Sequence, residues 1–370
     1  MSAGLRFEVV TSPQAFDALR PEWNSLLPRC PTSTLFNTWE WLRLWWEHYG
    51  TGRRLAIVVA RDGADTRAIF PLHVERERWK GIIPFQTLRL LGDGTSDSDY
   101  LDFLIPRGEA VPLVEAFWKF LLRDSGLEFD LIRVCEMPMV SPHYTALKSL
   151  LDRDGAAVRE QRIGAVFTRL PDGWEPFLAS LKPRMRTKVR SLRRRLEESH
   201  RVRFLCAENA GDIDRALPSL FDLHGRRWAS RDQSGVFSSP KRAFYRDMSH
   251  RFGELGWLRL YTLEVDGSQV AHQYCVAHER TLYLLQEGYD PLWEVHGVGN
   301  LLRALVFEAA IQEQIRVYDF LGGVTQHKLS WAGEIKESTR FTCRGRGQWG
   351  GLYFGLSGLS TALTRLRRAS

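Results

Sequence analysis

A pair of glycines at the start of a long amphipathic helix is the residue pattern with the clearest chemical meaning. A strand ends at Gln286, the following loop closes with Gly297-Val298-Gly299, and the helix begins at once. The first N–H groups of a helix have no partner within it, and the helix dipole gives them partial positive charge. Glycine lets these amides approach a bulky phosphate. The pattern predicts either an anion site or a plain helix cap, and the plain cap is the commoner outcome.

A carboxylate and an ammonium follow on the next predicted strand and loop. Asp319 lies on a short apolar strand and Lys328 in the loop beyond it, with aromatic side chains around them. Burying a carboxylate among apolar neighbours is costly unless it is paired, so Asp319 is either structurally bridged or functional. The residue types alone favour neither alternative.

The elements that position these residues form a pattern that occurs twice. In the second half, the spacing predicts strands over 258–265, 269–277 and 282–286, a helix over 297–314 and a strand over 317–321. In the first half, it predicts strands over 54–60 and 67–74 and a helix over 109–122. In each half, an Asp-Gly turn joins two strands, and this similarity is compatible with an internal duplication. A strand meander followed by a crossover helix predicts a mixed α/β sheet.

Composition and charge limit the class of protein. The 370 residues suffice for two domains of ordinary size, and 44% hydrophobic with 26% charged residues is typical of globular chains. The five cysteines have no zinc or disulfide spacing, so no metal site is predicted. Neither a signal-peptide pattern nor an apolar run long enough to cross a bilayer is present, which predicts a cytoplasmic protein. The formal net charge of +7 favours an anionic partner.

Five motifs resemble GNAT-type acetyltransferases associated with bacterial cellulose and exopolysaccharide biosynthesis, which are relatives of the Fem-type aminoacyl transferases. In the expected order they are FNTWEWLRLWW, LKPRMRTKVRSLRRRLEE, GYDPLW, GVGNLL and DFLGGVTQHKLSW. The resemblance spans roughly residues 36–341 and implies two tandem GNAT-like domains with mixed α+β sheets. The family tends to have Tyr before the lysine of the last motif, where this chain has His327.

The resemblance implies an acyl-CoA donor, with acetyl-CoA as the first expectation, and no metal. The pyrophosphate is expected on Gly297 to Asn300, and the pantetheine arm between the strands 282–286 and 317–321. The acceptor is expected to be a small-molecule amine or, by closely related chemistry, a sugar hydroxyl. In this reaction class the amine loses a proton and attacks the thioester directly, while backbone N–H groups polarise the carbonyl.

The same mechanism gives candidate roles to five side chains. His272, Glu287 and Asp319 are candidate bases or orienting groups, and an imidazole needs little adjustment of its pKa to work near neutrality. The competing structural roles are a packed strand histidine, a carboxylate that caps a turn and a bridged aspartate. Tyr289 either protonates the leaving thiolate or packs. Lys328 either binds phosphate or pairs with Asp319, and the pairing is the favoured interpretation.

Much of the positive charge is concentrated in one segment. Eight of the fourteen residues from Lys182 to Arg195 are Lys or Arg. An apolar stripe at helical spacing predicts an amphipathic helix there: Met185, Val189, Leu192 and Leu196. The cations occupy the first turns, where the helix dipole disfavours them, so an external anion is a plausible compensation. A CoA phosphate, a tRNA backbone, an acidic polysaccharide precursor and a membrane surface all fit, and so does a plain solvated face.

The predicted domain organisation has four parts. They are an N-terminal GNAT-like domain over 1–170, a linker with the basic helix over 171–200, a C-terminal GNAT domain with the donor site over 201–346, and a helical tail over 347–370. The tail is apolar and then basic, so it either contacts a membrane peripherally or docks as a terminal helix. Two alternatives to an acyl-CoA enzyme stay open: a Fem-type transferase that uses aminoacyl-tRNA, and an inactive GNAT scaffold that binds a partner. The oligomeric state is not predicted.

Overall fold

The computed structural model describes residues 4–79, 81–229 and 237–355, and the chain divides into two compact units. The first unit comprises Met1–Ile163 and Glu337–Ser370, and the second comprises Gly164–Lys336. These limits differ from the domain limits expected from the sequence, and the expected linker 171–200 falls within the second unit. Residues 349–355 of the expected tail are helical, whereas 356–370 lie outside the described residues.

The first part of the chain contains both strands and helices. In chain order they are β1 (Arg6–Val10), α1 (Pro13–Ala18), α2 (Arg20–Leu26), α3 (Trp39–Tyr49), β2 (Arg53–Leu55), β3 (Ile57–Asp62), β4 (Asp65–Phe70), β5 (Leu72–Trp79), β6 (Ile83–Leu90), α4 (Ala110–Arg123), β7 (Leu131–Pro138), α5 (Pro142–Arg153) and β8 (Val158–Arg169). The start of α3 is fixed by Thr38, whose hydroxyl accepts a hydrogen bond from the N–H of Trp41 at 3.2 Å.

The second part contains the meander and the helix that the sequence predicts. The elements are α6 (Trp174–Ser180), α7 (Pro183–Glu197), β9 (Val202–Cys206), α8 (Ala210–Ala229), α9 (Ser239–Glu254), β10 (Leu258–Val265), β11 (Ser268–His278), β12 (Thr281–Tyr289), the 3-10 turn Pro291–His296, α10 (Val298–Gln312), β13 (Val317–Gly322), α11 (Gln326–Leu329) and β14 (Glu334–Arg344). The predicted basic amphipathic helix is α7, in which Val189 and Leu196 are buried.

Both units follow the same order of connections. In the second unit, Asp266 and Gly267 join β10 to β11 and both have positive φ, as a type I′ hairpin turn requires. In the first unit the corresponding hairpin, from β2–β3 to β4–β5, bends at Ala56, whose N–H still donates to the carbonyl of Leu72. A third antiparallel strand, a crossover helix and a parallel strand follow in each unit: β6, α4 and β7, or β12, α10 and β13. The predicted mixed α/β fold with two tandem domains is confirmed.

The sheet of the second unit is covered by helices on both faces. Its strand order is β8-β13-β12-β11-β10-β9, with a parallel β12–β13 pair among antiparallel neighbours. Helix α10 packs its apolar side on one face, where Leu301, Leu302 and Phe307 are buried in the core. Helices α8 and α9 contact β10, β11 and β12. Among the described residues, no helix combines the length and apolar character that crossing a bilayer requires.

Phe307 tests how firmly this packing holds α10. Its ring is fully buried, and its centre lies 4.5 Å from that of Tyr318 on β13 and 5.2 Å from that of Trp331. We expect Phe307→Ala to lower the free energy of unfolding by about 3–5 kcal/mol, because it leaves a cavity between α10 and β13. The control is Gln312→Ala, an exposed position on the same helix, with an expected change within about 0.5 kcal/mol. Urea denaturation measures both, and equal effects would contradict this view of the core.

Candidate active site

The parallel strands β12 and β13 separate soon after they meet. Their pairing consists of Thr281–Val317, Leu282–Tyr318 and Tyr283–Asp319. Both strands lie wholly within the described residues, and they continue to Tyr289 and Gly322 without pairing further. A cavity of about 700 Å³ is lined by residues of both strands and of α10. The gap between strands that the sequence interpretation required is therefore present.

A bulge in β12 determines which side chains face this cavity. The pairing of β12 with β11 skips Leu285. Because one extra residue inverts the alternation of side chains, Glu287 faces α10 as Leu284 does before the bulge. Gln286 faces the opposite side, where its amide donates to the hydroxyl of Tyr245 on α9 at 3.1 Å. Without the bulge, a carboxylate at position 287 would belong to the other face of the sheet.

The start of α10 has hydrogen-bond donors that the protein does not use. Gly297 has a φ of 67°, and its carbonyl accepts from the N–H groups of Asn300 and Leu301 at 2.9 and 3.0 Å. Among the described residues, the N–H groups of Val298 and Gly299 have no protein acceptor. Both residues line the cavity. Two unsatisfied donors and the positive end of the helix dipole thus lie at its edge, an arrangement that suits a phosphate.

Arg303, a buried arginine on α10 that the sequence analysis did not single out, connects the polar groups of the cavity. It forms an ion pair with Glu287 through Nη2, and its Nη1 lies 3.3 Å from Nδ1 of His327. Because an arginine can only donate, Nδ1 of His327 is the acceptor, and the proton of this neutral ring is on Nε2. That proton is donated to Oδ1 of Asn300 at 3.1 Å. A chain of hydrogen bonds therefore joins Glu287 to the start of α10.

The charge on Arg303 is maintained in spite of its burial. Its side chain is 3% exposed, and within the described part of the chain its Nε has no hydrogen-bond partner. Burial opposes the charge, but the Glu287 carboxylate outweighs this and raises the pKa of the guanidinium. The guanidinium also lies 5.1 Å from the ring centre of Phe320 on β13, within range of a cation–π contact. An arginine inside the apolar stretch Leu301–Val306 was the sequence signal for this role.

His272 lines the cavity, but its environment differs from the expected one. Its ring is buried, with Nδ1 at 3.0 Å from the hydroxyl of Thr262 and Nε2 at 2.9 Å from that of Ser219. Burial lowers its pKa to about 3. The imidazole is therefore neutral and weakly basic near neutral pH, which corrects the expectation that it needs little adjustment to act as a base.

Asp319 and Lys328 hold the end of β13. Asp319 is fully buried, and its carboxylate accepts from Nζ of Lys336 at 2.6 Å and from the N–H of Leu321 at 2.9 Å. Nζ of Lys328 donates to the main-chain carbonyls of Phe320 and the next two residues, at 3.0, 3.2 and 2.6 Å. The ion-pair partner of Asp319 is Lys336, which corrects the pairing with Lys328 favoured from the sequence. Of these two site candidates, Lys328 lines the cavity and Asp319 does not.

Tyr289 lies beside the start of α10. Its ring is 3.3 Å from the position that a Cβ on Gly299 would occupy, and its hydroxyl donates to Glu294 at 3.2 Å. Four residues of extended strand, or about 13 Å, separate it from the bulge at Leu285. The structure therefore brings Tyr289, Glu287, His272, Lys328 and residues 297–300 to one cavity.

Comparison with known protein families finds a match for this part of the chain. Residues 183–329 match the family described as an acetyltransferase (GNAT) domain. All residues that line the cavity fall within this range. This part of the chain is therefore similar to a GNAT acetyltransferase domain, which supports a transferase. No curated protein sequence matches the chain significantly.

Three solved structures are similar to most of the chain. FemX has 10% identity and a TM-score of 0.62, with 91% of this chain and 96% of that chain covered. A conserved protein of unknown function from Bacteroides thetaiotaomicron has 14% identity and a TM-score of 0.59, with 91% and 100% covered. The C-terminal domain of a provisionally named lysylphosphatidylglycerol synthetase from Agrobacterium fabrum has 9% identity and a TM-score of 0.53, with 93% and 95% covered. Identities this low show a shared fold.

The lowered pKa of His272 makes the stability of the protein depend on pH. The imidazole titrates near pH 6.5 in the unfolded chain and near 3 in the folded one, so the unfolded state binds the proton as the pH falls below about 6.5. Lowering the pH from about 7 to about 5 should therefore reduce the free energy of unfolding by about 2 kcal/mol through this residue. The amide of the variant His272→Gln can still form hydrogen bonds with Thr262 and Ser219, but it does not titrate. We therefore expect the free energy of unfolding of this variant to fall by about 2 kcal/mol less than that of the original protein over the same pH interval. Urea denaturation at both pH values measures the difference, and parallel losses would contradict the buried neutral ring.

Proposed function

We propose that the protein transfers an acyl group from acyl-CoA to an amine, and that the cavity of the second unit holds the donor. The observation that carries this proposal is the position of the two unsatisfied N–H groups, at Val298 and Gly299, on a cavity that continues between β12 and β13. A donor with a diphosphate at one end and a long, narrow arm at the other fits this combination. The diphosphate would bind residues 297–300, and the arm would lie in the gap.

The bulge in β12 supports a position for the thioester. Beyond Tyr283 the edge of β12 no longer pairs with β13, so its backbone groups are available to the amide groups of the arm. The register shift at Leu285 interrupts the other ladder of β12 as well. We place the acyl carbonyl near this residue, where a backbone N–H can polarise it as negative charge develops on the oxygen.

Glu287 is the group that we propose to receive the proton of the acceptor amine. It lies two residues beyond the bulge, its side chain is 25% exposed, and the charged Arg303 holds its carboxylate in place. The ionised carboxylate attracts the ammonium form of the acceptor and takes one proton from it, and the lone pair of the resulting neutral amine then attacks the carbonyl carbon. The C–S bond then breaks, and the thiolate of CoA leaves and takes up the second proton that the nitrogen loses as the amide forms. Arg303 and His327 act as positioning residues for Glu287 and Asn300.

The other candidate residues have supporting roles in this proposal. Tyr289 lies at the helix start, so we assign it to the diphosphate end and not to the leaving thiolate. Lys328 and Asp319 fix the turn that ends β13 and thereby shape the gap. His272, with its pKa of about 3, packs beneath the cavity.

For the acceptor and the pathway, we propose only a chemical class and a general area of metabolism. An amine is the acceptor that we favour, and a sugar hydroxyl is the chemically related alternative. The sequence motifs support a place in bacterial exopolysaccharide or cell-envelope synthesis. The second candidate is an aminoacyl-tRNA donor. The exposed cations of α7, a helix that lies beside the start of α10, favour this candidate.

The donor proposal predicts that acetyl-CoA stabilises the protein and that the N–H of Gly299 contributes. At about 100 times its dissociation constant, a ligand of the folded state adds about 2.7 kcal/mol of stability. Gly299→Pro removes this donor at an early helix position, where proline is tolerated, whereas Gly299→Ala adds a Cβ and keeps the N–H. We expect the proline variant to bind acetyl-CoA at least about tenfold more weakly than the alanine variant, because a hydrogen bond to a charged group is lost.

Thermal melting with acetyl-CoA, longer acyl-CoAs and tRNA measures these affinities. Melting without ligand is the control for the fold of each variant. A shift with tRNA alone would assign the site to the second donor, and equal affinities of the two variants would overturn the assignment of the Gly299 amide.

The assignment of Glu287 predicts a specific kinetic effect. We expect Glu287→Gln to lower kcat by about 10²–10⁴, because an amide cannot take up the proton. Thermal melting without ligand measures how far the loss of the Arg303 partner destabilises this variant. The matched control is Glu294→Gln, which replaces another carboxylate of the same cavity and should keep most of kcat. The release of free CoA with a panel of amines is the assay. A comparable loss of kcat in both variants would show that Glu287 is not the base.

A further inference from the structure

Exposed aliphatic side chains lie on two loops that border the cavity of the second unit, and exposed basic side chains lie on α7, which borders the start of α10. We call this set the rim surface. It comprises Leu292 and Val295 on the 3-10 turn, Val324 on the loop after β13, and the outward cations Lys182, Arg184, Lys188 and Arg195 of the α7 region.

The 3-10 turn holds its aliphatic side chains away from the protein. Leu292 is 83% exposed and Val295 is 89% exposed. Residues three apart lie on the same side of a 3-10 helix, so these two side chains form one edge. On the other side, the rings of Trp293 and His296 lie 5.1 and 5.7 Å from that of His200. The ring contacts with His200 therefore hold the 3-10 turn in place, and they leave the side chains of Leu292 and Val295 facing solvent.

Both loops with exposed aliphatic side chains border the cavity. Glu294, which lies between the two exposed residues of the 3-10 turn, lines the cavity. On the other loop, Val324 is 44% exposed and lies between Gly322 and Thr325, which both line the cavity. The apolar part of the rim surface thus adjoins the mouth of the proposed donor site.

The charged part of the rim surface is strongly positive. From Lys182 to Glu198 there are eight cations and two carboxylates, a net charge of 8 − 2 = +6. Three of the cations form ion pairs: Arg190 with Glu175, Arg193 with Glu197 and Arg194 with Glu198. The four cations of the rim surface are exposed and form no ion pair with any residue that the structure describes. Leu192 of α7 lies 2.7 Å from the position of a Cβ on Gly297, so the helix borders the start of α10.

We propose that the rim surface docks on an anionic lipid bilayer. Leu292 and Val295 would enter the boundary between headgroups and acyl chains, while the cations of α7 contact lipid phosphates. Apolar insertion and attraction to a negative surface act together in such binding, and each is weak alone. RNA would match the cations, but it would give the exposed aliphatic edge no contact. The docking does not depend on the proposed acyl transfer; if both hold, the cavity opens at the membrane surface, within reach of an amine carried by a lipid.

Flotation of the full chain with vesicles tests the aliphatic edge. We expect binding to vesicles of phosphatidylglycerol and phosphatidylcholine, and little binding to phosphatidylcholine alone. The double variant Leu292→Ser with Val295→Ser should lower the partition coefficient about tenfold, because the inserted apolar area is lost. The matched control is Val111→Ser with Val140→Ser, which replaces residues that are 58% and 84% exposed in the first unit. An equal effect of the two double variants would overturn the proposal.

A second pair of variants tests the charge. Lys188→Gln with Arg195→Gln should weaken vesicle binding about fivefold for each charge removed. The control Arg76→Gln with Arg78→Gln removes two exposed charges from β5 and should leave it unchanged. Two results together would assign α7 to RNA and refute membrane docking. They are competition between tRNA and vesicles for the protein, and tRNA binding that is unchanged in the Leu292→Ser, Val295→Ser variant. The melting shift with acetyl-CoA is measured separately, so a failure of docking is distinguishable from a failure of the proposed donor site.

Discussion

The ion pair between Arg303 and Glu287 is the interaction on which the architecture of the cavity depends. A guanidinium buried in α10 requires an anion, and β12 supplies one where it has already separated from β13. Because Arg303 also contacts Phe320, it links the helix to both edges of the gap. Breaking a buried ion pair by removing one partner typically costs about 3–5 kcal/mol. His327 and Asn300 take their orientation from the same group, so the carboxylate and the helix start form one connected unit.

The parts of the fold that local spacing determines could be predicted from the sequence. The hairpin at Asp266-Gly267 and the helix α10 follow from turn chemistry and from apolar residues three and four apart. Helices α8 and α9 and strand β14 were not predicted, because α8 contains Pro218 and because polar residues interrupt the apolar pattern of the other two. Their stability comes from packing and pairing with distant segments, which local periodicity does not encode.

The candidate site likewise has features that follow from local sequence and features that depend on tertiary contacts. The unsatisfied amides at residues 298 and 299 follow from a glycine-rich helix start, which is a local feature. The roles of Arg303 and Lys336 depend on contacts with residues 16 and 17 positions away in the chain, and the low pKa of His272 depends on burial by other elements. The sequence therefore singled out several residues that line the cavity, whereas the place of Arg303, the ion-pair partners and the ionisation of His272 required the tertiary structure.

The extra residue in β12 distinguishes the second unit of the chain from the first. In the first unit, β6 pairs with β5 in continuous register from Leu72–Leu90 to Trp79–Ile83, whereas in the second unit the equivalent ladder skips Leu285. A gain or loss of a single codon in this strand moves an acidic group from one helical layer to the other while most of the backbone pairing survives. Two units with the same order of connections can thus present different chemistry because one strand differs in length by a single residue.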